Sequence, residues 1–283
     1  MRARASWLLT ALFAASCAVA SGGGGEPEPP VADVPAEDLV EVSDIKGDGG
    51  SFNAADLMDD ASFTDDHFMT QAEVQAFFES TPYGSRSFLA DFSPGGRSVA
   101  ELIVDAAADK QISPVVLIVK LQVETGLVSK TVTPTAATLN RAMGCGCPDG
   151  GSCASATSGF EKQIRCAADV FRQYLDDLDS TGSTIAGWKV GVGKRTLDEV
   201  WVSPRNRATA ALYTYTPWVL PGSSGNWLFW NVYKRYTRHI LEGRPNYHWV
   251  GGPCDSIADC PLEGGQCLSQ LRDGLCTQPL SPS

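Results

Sequence analysis

Residues 113–126, SPVVLIVKLQVETG, constrain the fold more than any other stretch of the 283-residue sequence. Ser113 and Pro114 suit the N-cap and the first position of a helix, and Gly126 suits its C-terminal end. The side chains between them are apolar around nearly the whole circumference. The interruptions are Lys120, Gln122 and Glu124. Such a helix is stable when other elements cover it on all sides, so we predict a central, buried helix.

Helical patterns flank this run on both sides. Thr70 and Glu73 have the spacing of a capping box, and an apolar stripe follows them. Further helices are predicted over residues 97–110, 160–178, 206–215 and 226–242. Strand patterns are limited to residues 188–192 and 199–202. The sequence therefore predicts a mainly α fold, with one domain over residues 51–250.

The N-terminus has the parts of an export signal: arginines, a short apolar run and then Cys17. Nine cysteines are an odd set, and lipidation of Cys17 would leave eight, enough for four disulfides. We therefore favour a signal peptide with a lipobox at residues 1–17 and a membrane-anchored envelope lipoprotein, with residues 18–50 as a flexible linker. Cleavage after Ala20, giving a secreted protein, is the alternative.

The charge of the chain limits its partners. Its 33 acidic residues outnumber 22 basic ones, for a formal net charge of −11. This balance argues against nucleic acid or anionic lipid as the main electrostatic partner. Peptidoglycan is also anionic, so the charge does not single it out.

Two segments resemble metal sites, and we interpret both without a metal or other cofactor. Residues 44–56 have the outline of a calcium loop, but Lys46 occupies a ligand position, which favours a solvated acidic turn. The tail at residues 251–283 contains four cysteines without a close Cys-x-x-Cys pair, and an exported chain would oxidise them to disulfides. These cysteines are Cys254, Cys260, Cys267 and Cys276.

Glu124 lies in the last turn of the predicted central helix. The negative end of the helix dipole and partial burial both favour its protonated form. A carboxyl that keeps its proton near neutral pH can donate it to a leaving oxygen, as glycoside hydrolysis requires. The structural alternative is that Glu124 caps a neighbouring helix or pairs with Lys120, four residues earlier. Other catalytic motifs are missing: the three histidines have no metal-binding spacing, and the sequence contains no serine-hydrolase elbow or phosphate-binding loop.

Six segments between residues 63 and 236 add to this pattern. They are FMTQAEVQAFFES, AADKQISPVVLIVKLQVETGLVSK, LNRAMGCGCPDG, SGFEKQIRCAA, NRATAALYTYTPWV and FWNVYKRY. Together and in this order, they resemble a family of exported bacterial proteins with a lysozyme-like domain, related to glucosaminidases and soluble lytic transglycosylases.

The resemblance implies a lysozyme-like helical fold, with Glu124 as the general acid at the floor of a glycan cleft. It implies that Phe160 and Gln163 lie near the cleft and that Tyr213 or Tyr215 lies close to the acid, although both tyrosines also suit the core. Gln122, from the same motif as Glu124, completes the substrate-binding candidates.

The resemblance also bears on the cysteines. It implies a disulfide between Cys147 and Cys153. Cys145 departs from the family pattern, which leads us to expect a tyrosine there, and Cys166 in the following helix is its candidate partner.

A second catalytic carboxylate is not evident. Asp149 is the nearest candidate by resemblance, although an ordinary turn explains it better. The resemblance to lysozyme-like transglycosylases implies a mechanism with one glutamate, in which a group of the sugar itself completes the reaction. Six tryptophans could stack on sugars, although most suit core positions at this density. They are Trp188, Trp201, Trp218, Trp227, Trp230 and Trp249.

We therefore predict an exported hydrolase of peptidoglycan glycan strands, of the muramidase, glucosaminidase or lytic transglycosylase type. Its partner would be peptidoglycan or a related amino-sugar glycan, together with the membrane through the lipid anchor. The alternative is a non-catalytic glycan-binding envelope lipoprotein.

Overall fold

The computed structural model describes residues 52–148 and 151–243, the single residues Pro35 and Asp38, and the backbone of residues 266–267 and 276–277. Several predictions lie outside this range. They concern Cys17, most of the 18–50 linker, residues 44–51 of the calcium-like segment, Asp149, Trp249 and the side chains of the four C-terminal cysteines.

The described chain contains eight α-helices and two short antiparallel strand pairs, which confirms the mainly α class. The helices are α1 (Asp60–Thr64), α2 (Gln71–Glu79), α3 (Val99–Lys110), α4 (Pro114–Thr125), α5 (Ala136–Leu139), α6 (Phe160–Thr181), α7 (Arg207–Tyr215) and α8 (Gly225–Glu242). The strands are β1 (Lys194–Arg195) with β2 (Trp201–Val202), and β3 (Gln266–Cys267) with β4 (Cys276–Thr277). Among the described residues, no helix combines the length and apolar character needed to cross a membrane.

Helix α4 is central, as its apolar circumference predicts. Every residue from Pro114 to Val123 is buried, and α3, α6 and α8 pack around the helix. Each fully buried leucine or isoleucine side chain here contributes roughly 1.5–3 kcal/mol relative to an exposed one. The helix ends at Gly126, which adopts the left-handed conformation with φ 63°. Its position in the sequence therefore fixes Glu124 in the last turn.

The predicted boundaries differ from the structure in a few places. The capping box of Thr70 and Glu73 is present at the start of α2. Helix α6 continues three residues beyond the predicted end and stops at Gly182. The strand predicted over residues 188–192 is wrong, because Gly191 has a positive φ of 74° and forms part of a turn, so the first strand begins at Lys194.

Asp38 belongs to the stretch predicted as linker, yet it is fully buried against the helical domain. The hydroxyl of Tyr83 donates to its two carboxylate oxygens at 2.8 and 2.7 Å. The side-chain amide of Gln122 donates to the same carboxylate at 2.8 Å, and that of Asn231 donates to the Asp38 carbonyl at 2.7 Å. Asp38, which precedes all the described helices in the sequence, therefore links α4 and α8 through these hydrogen bonds.

Candidate functional site

Glu124 stands where the buried helix α4 reaches solvent. Its side chain is 12% exposed, whereas the side chain of Lys120, one turn earlier, is 1% exposed. Burial of the rest of the helix fixes the backbone of both residues, so the carboxylate is held on a rigid element and still reaches water.

Lys120 and Glu124 form an ion pair. The ammonium of Lys120 donates to Oε1 of Glu124 and to the hydroxyl of Thr216, the latter at 2.9 Å. The same ammonium lies 4.1 Å from the ring centre of Tyr215, a distance suited to a cation–π contact. The structural alternative stated for Glu124, pairing with Lys120, is therefore present.

Burial and the ion pair act in opposite directions on Lys120. Burial lowers the pKa of the Lys120 ammonium, and the negative charge and hydrogen bond of Glu124 act in the other direction. The ion pair with Glu124 therefore offsets part of the cost of burying the Lys120 charge.

A loop of residues 141–148 covers the other oxygen of Glu124. A Cβ atom added at Gly144 would lie 3.2 Å from Oε2 of Glu124, so the loop backbone approaches the carboxylate closely. The hydroxyl of Tyr215 donates to the carbonyl of Met143 at 2.7 Å. The site therefore has a lysine and a threonine at one carboxylate oxygen and the glycine backbone at the other.

Gln163 holds the 141–148 loop in place through hydrogen bonds. Its side-chain oxygen accepts from the backbone N–H groups of Met143 and Cys145, each at 3.1 Å. Its side-chain nitrogen donates to the carbonyls of Cys145 at 2.7 Å and Thr157 at 2.8 Å. These bonds leave no capacity for substrate on a side chain that is fully buried. Gln163 supports the site and does not line it.

Two disulfides fix the same loop. Cys145 is bonded to Cys166 in α6, and Cys147 is bonded to Cys153. The bond between Cys147 and Cys153 is the one that the resemblance implies, and Cys166 is the partner expected for Cys145. The first bond attaches the loop to a long helix and the second closes a small ring, so the backbone facing Glu124 has little freedom.

The structure brings some of the candidate residues together and separates others. Tyr215 contacts the Lys120–Glu124 pair, whereas Tyr213 is buried and donates to the carbonyl of Ala54 at 3.0 Å. Gln122 points to the opposite side of α4, towards Asp38. Phe160 is buried and packs edge-on against Phe92 with ring centres 5.2 Å apart.

The sequence interpretation missed two contributors to the site, Thr216 and Gly144. Lys120 was considered as a structural partner, and its spacing of four residues was sufficient to identify it. Thr216 follows α7 and Gly144 lies in an irregular loop, so no periodic pattern marks either of them.

Among the described residues, the hydrogen-bonding partners of Glu124 do not include a second carboxylate. Its hydrogen-bonding partners in the described part of the chain are Lys120 and Thr216. Among residues 52–148 and 151–243, no group of three or more His, Cys, Asp or Glu side chains is arranged to hold a metal ion. The described site therefore offers proton transfer by one carboxyl group.

Comparisons of the chain with known protein families, with curated proteins and with solved structures gave no match in any of the three. The functional assignment therefore depends on the residues of the site and on the resemblance of the quoted segments.

Proposed function

We propose that the protein cleaves the glycan strand of peptidoglycan, or of a related amino-sugar glycan, with Glu124 as acid and base in a lysozyme-like helical domain. The observation that carries the proposal is the placement of Glu124: a partly exposed carboxylate on a buried helix, with the cross-linked 141–148 loop beside it. A rigidly held carboxyl in a partly dry site is what general acid catalysis of glycoside cleavage requires.

Lys120 gives this carboxyl a source for its proton. A sugar bound over Glu124 would exclude water from its exposed part, which destabilises separated charges relative to a neutral pair. The proton can then move from Nζ of Lys120 to the carboxylate, giving an amine and a carboxylic acid. Thr216 remains a hydrogen-bonding partner for the lysine nitrogen in both states.

Glu124 would then protonate the glycosidic oxygen while the bond from this oxygen to the anomeric carbon breaks. A nucleophile from the sugar, its N-acetyl oxygen or its C6 hydroxyl, would bond to the anomeric carbon. The resulting carboxylate accepts the proton that this nucleophile or an attacking water loses, and transfer of that proton to Nζ of Lys120 then restores the ion pair. The scheme needs one carboxyl group, as the described site provides.

A non-catalytic glycan-binding protein is the second candidate. The observation that favours it is the ion pair of Lys120 and Glu124 itself, because a carboxylate in an ion pair can accept hydrogen bonds from sugar hydroxyl groups but has no proton to donate. In this case the same site would hold a glycan without cleaving it.

One experiment separates the two functions. The purified full chain is incubated with a peptidoglycan suspension, and soluble fragments are identified by mass spectrometry. Cleavage by the wild type and its loss in Glu124→Gln is the expected result. Glu101→Gln is the matched control, because Glu101 also pairs with a cation four residues away but lies on α3. Cleavage that survives in Glu124→Gln would refute the assignment of the acid, and binding without cleavage would favour the second candidate.

A further inference from the structure

An exposed apolar stretch lies between α6 and α7. Of the six large apolar side chains that are exposed in the described part of the chain, five lie between residues 185 and 201. They are Ile185, Val190, Val192, Leu197 and Trp201. Clustering of this kind, in a chain whose other apolar side chains are mostly covered, indicates a contact surface.

Trp201 is the residue of this stretch best suited to a specific ligand. Its exposed fraction is 66%, whereas Trp188, Trp227 and Trp230 are at most 4% exposed. Among the described tryptophans that the sequence offered for sugar stacking, Trp201 therefore presents the largest free ring surface.

The indole of Trp201 is held in place by the chain next to it. A Cβ atom added at Gly193 would lie 2.3 Å from Nε1 of Trp201 and 2.5 and 2.6 Å from two further indole atoms. The ring therefore rests against the bare backbone of Gly193. A ring fixed in this way loses little conformational entropy when a ligand stacks on its free side.

The strand pair that carries Trp201 is braced against the segment beside Glu124. The N–H of Leu197 donates to the carbonyl of Pro217 at 2.8 Å. The carboxylate of Asp198 accepts from the N–H of Val219 at 3.0 Å and of Leu220 at 2.9 Å. Thr216, which binds Lys120 and contacts Glu124, directly precedes Pro217. The turn between β1 and β2 is therefore hydrogen-bonded to the segment that directly follows Thr216.

The charge of this surface differs from that of the chain as a whole. Three basic residues, Lys189, Lys194 and Arg195, lie in the stretch with Asp198 and Glu199, so the stretch has a small positive excess within a chain of net charge −11. Arg195 is 61% exposed, pairs with Glu199 at 2.8 Å and is the cross-strand neighbour of Trp201. An aromatic ring beside a basic side chain suits a ligand that combines flat apolar sugar faces with carboxylates.

We propose that Trp201 is a stacking platform for a pyranose ring of an anionic amino-sugar glycan, a subsite that flanks Glu124. The subsite rests on the proposed function, because it takes the same glycan. Gly193 keeps the ring in place, and the contacts of Leu197 and Asp198 join the strand pair to the segment that follows Thr216.

Binding is measured by calorimetry with chitohexaose, a soluble oligomer of N-acetylglucosamine, in a Glu124→Gln background so that the probe is not consumed. Trp201→Ala is expected to raise the Kd at least about fivefold, from the loss of one stacking contact. Trp201→Phe should retain most of the affinity. Val132→Ala is the matched control, because Val132 is 76% exposed but lies elsewhere.

Gly193→Ala provides a second test that keeps the tryptophan. The added methyl group would displace the indole, so the Kd should rise as it does for Trp201→Ala. Thermal melting of each variant should match the background protein, because the ring is exposed. An unchanged Kd in both variants would overturn the subsite, as would a wild type that does not bind the oligomer.

Two further outcomes separate the subsite from the proposed function. Trp201-dependent binding by a wild type that does not cleave peptidoglycan would support the subsite and refute the hydrolase. Vesicles of phosphatidylglycerol and phosphatidylcholine test the alternative ligand, a membrane surface. Trp201-dependent binding to vesicles but not to chitohexaose would assign this surface to a membrane and overturn the glycan subsite.

Discussion

Removal of the Glu124 carboxylate would leave Lys120 as a buried cation without its counter-ion. The side chain of Lys120 is 1% exposed, and its remaining polar partner would be the hydroxyl of Thr216. Breaking a buried ion pair by removing one partner typically costs about 3–5 kcal/mol. Glu124→Ala should therefore destabilise the fold by an amount far above that of an ordinary surface substitution.

The electrostatic part of this cost has an upper limit, because Lys120 can lose its proton instead of remaining a buried cation. The ammonium can lose its proton in the folded variant, whereas a lysine in the unfolded chain keeps it below a pKa of about 10.4. At about pH 7 this loss costs about 1.36 kcal/mol for each of about 3.4 pH units, or about 4.6 kcal/mol. At about pH 9.5 the same limit is about 1.2 kcal/mol, because only about 0.9 pH units remain.

The sign of the pH dependence follows from proton counting. In Glu124→Ala the folded-state pKa of Lys120 falls further below its unfolded value, so the unfolded chain binds more protons. The free energy of unfolding of this variant should therefore rise as the pH increases from about 7 to about 9.5, relative to the wild type. Urea unfolding followed by circular dichroism at several pH values measures it.

The double variant Lys120→Met, Glu124→Ala is the control. It removes the buried charge together with its partner, so it should be more stable than Glu124→Ala alone at about pH 7 and should lose the additional rise with pH. A single variant whose stability relative to the wild type did not change with pH would refute the reasoning. Glu124→Gln is the better variant for activity assays, because its amide oxygen can still accept from Lys120.

Three more predictions concern the support of the site. Burial raises the pKa values of the Tyr83 and Tyr236 phenols, so their contribution to stability is complete below about pH 10. Above about pH 10 this contribution falls by up to about 1.4 kcal/mol per pH unit for each tyrosine. The free energy of unfolding should therefore fall less steeply with rising pH in Tyr83→Phe than in the wild type. The double variant Cys145→Ser, Cys166→Ser should have a free energy of unfolding about 3 kcal/mol lower, measured by thermal or urea unfolding, because this disulfide joins residues 21 positions apart in the sequence. Asp38→Ala should lower the free energy of unfolding by about 2–4 kcal/mol, because it removes the buried acceptor that Tyr83 and Gln122 share and the negative charge 3.7 Å from Arg235, and an unchanged urea midpoint would contradict its buried role.

Helix α4 was the most predictable part of the molecule. Its apolar circumference required burial, and Pro114 and Gly126 marked its ends, so the position of Glu124 in the last turn followed from local sequence. The pairing with Lys120 was also available from the spacing of four residues. These features depend on neighbours within one helix, which a sequence pattern records directly.

Prediction of the remaining site residues required knowledge of which face of each helix packs against which partner. Tyr213 and Tyr215 are two residues apart on α7, so their side chains point about 200° apart around the helix axis. Only one of them could face Glu124, yet both had the apolar surroundings of a core residue. Gln122 was assigned to the substrate, but its partner Asp38 lies 84 residues earlier, in a stretch whose composition is typical of a linker.

The burial of Asp38 has a mechanical consequence for a chain tethered by its N-terminus, as the sequence predicts. Tension on the tether would enter the folded domain at Asp38, the first residue there with described contacts to α4 and α8. Through the amide of Gln122 the load would reach α4 two residues before Glu124. In such a tethered chain, the tether and the candidate acid would share one buried contact, and a force on the tether would act on the helix that positions the carboxylate.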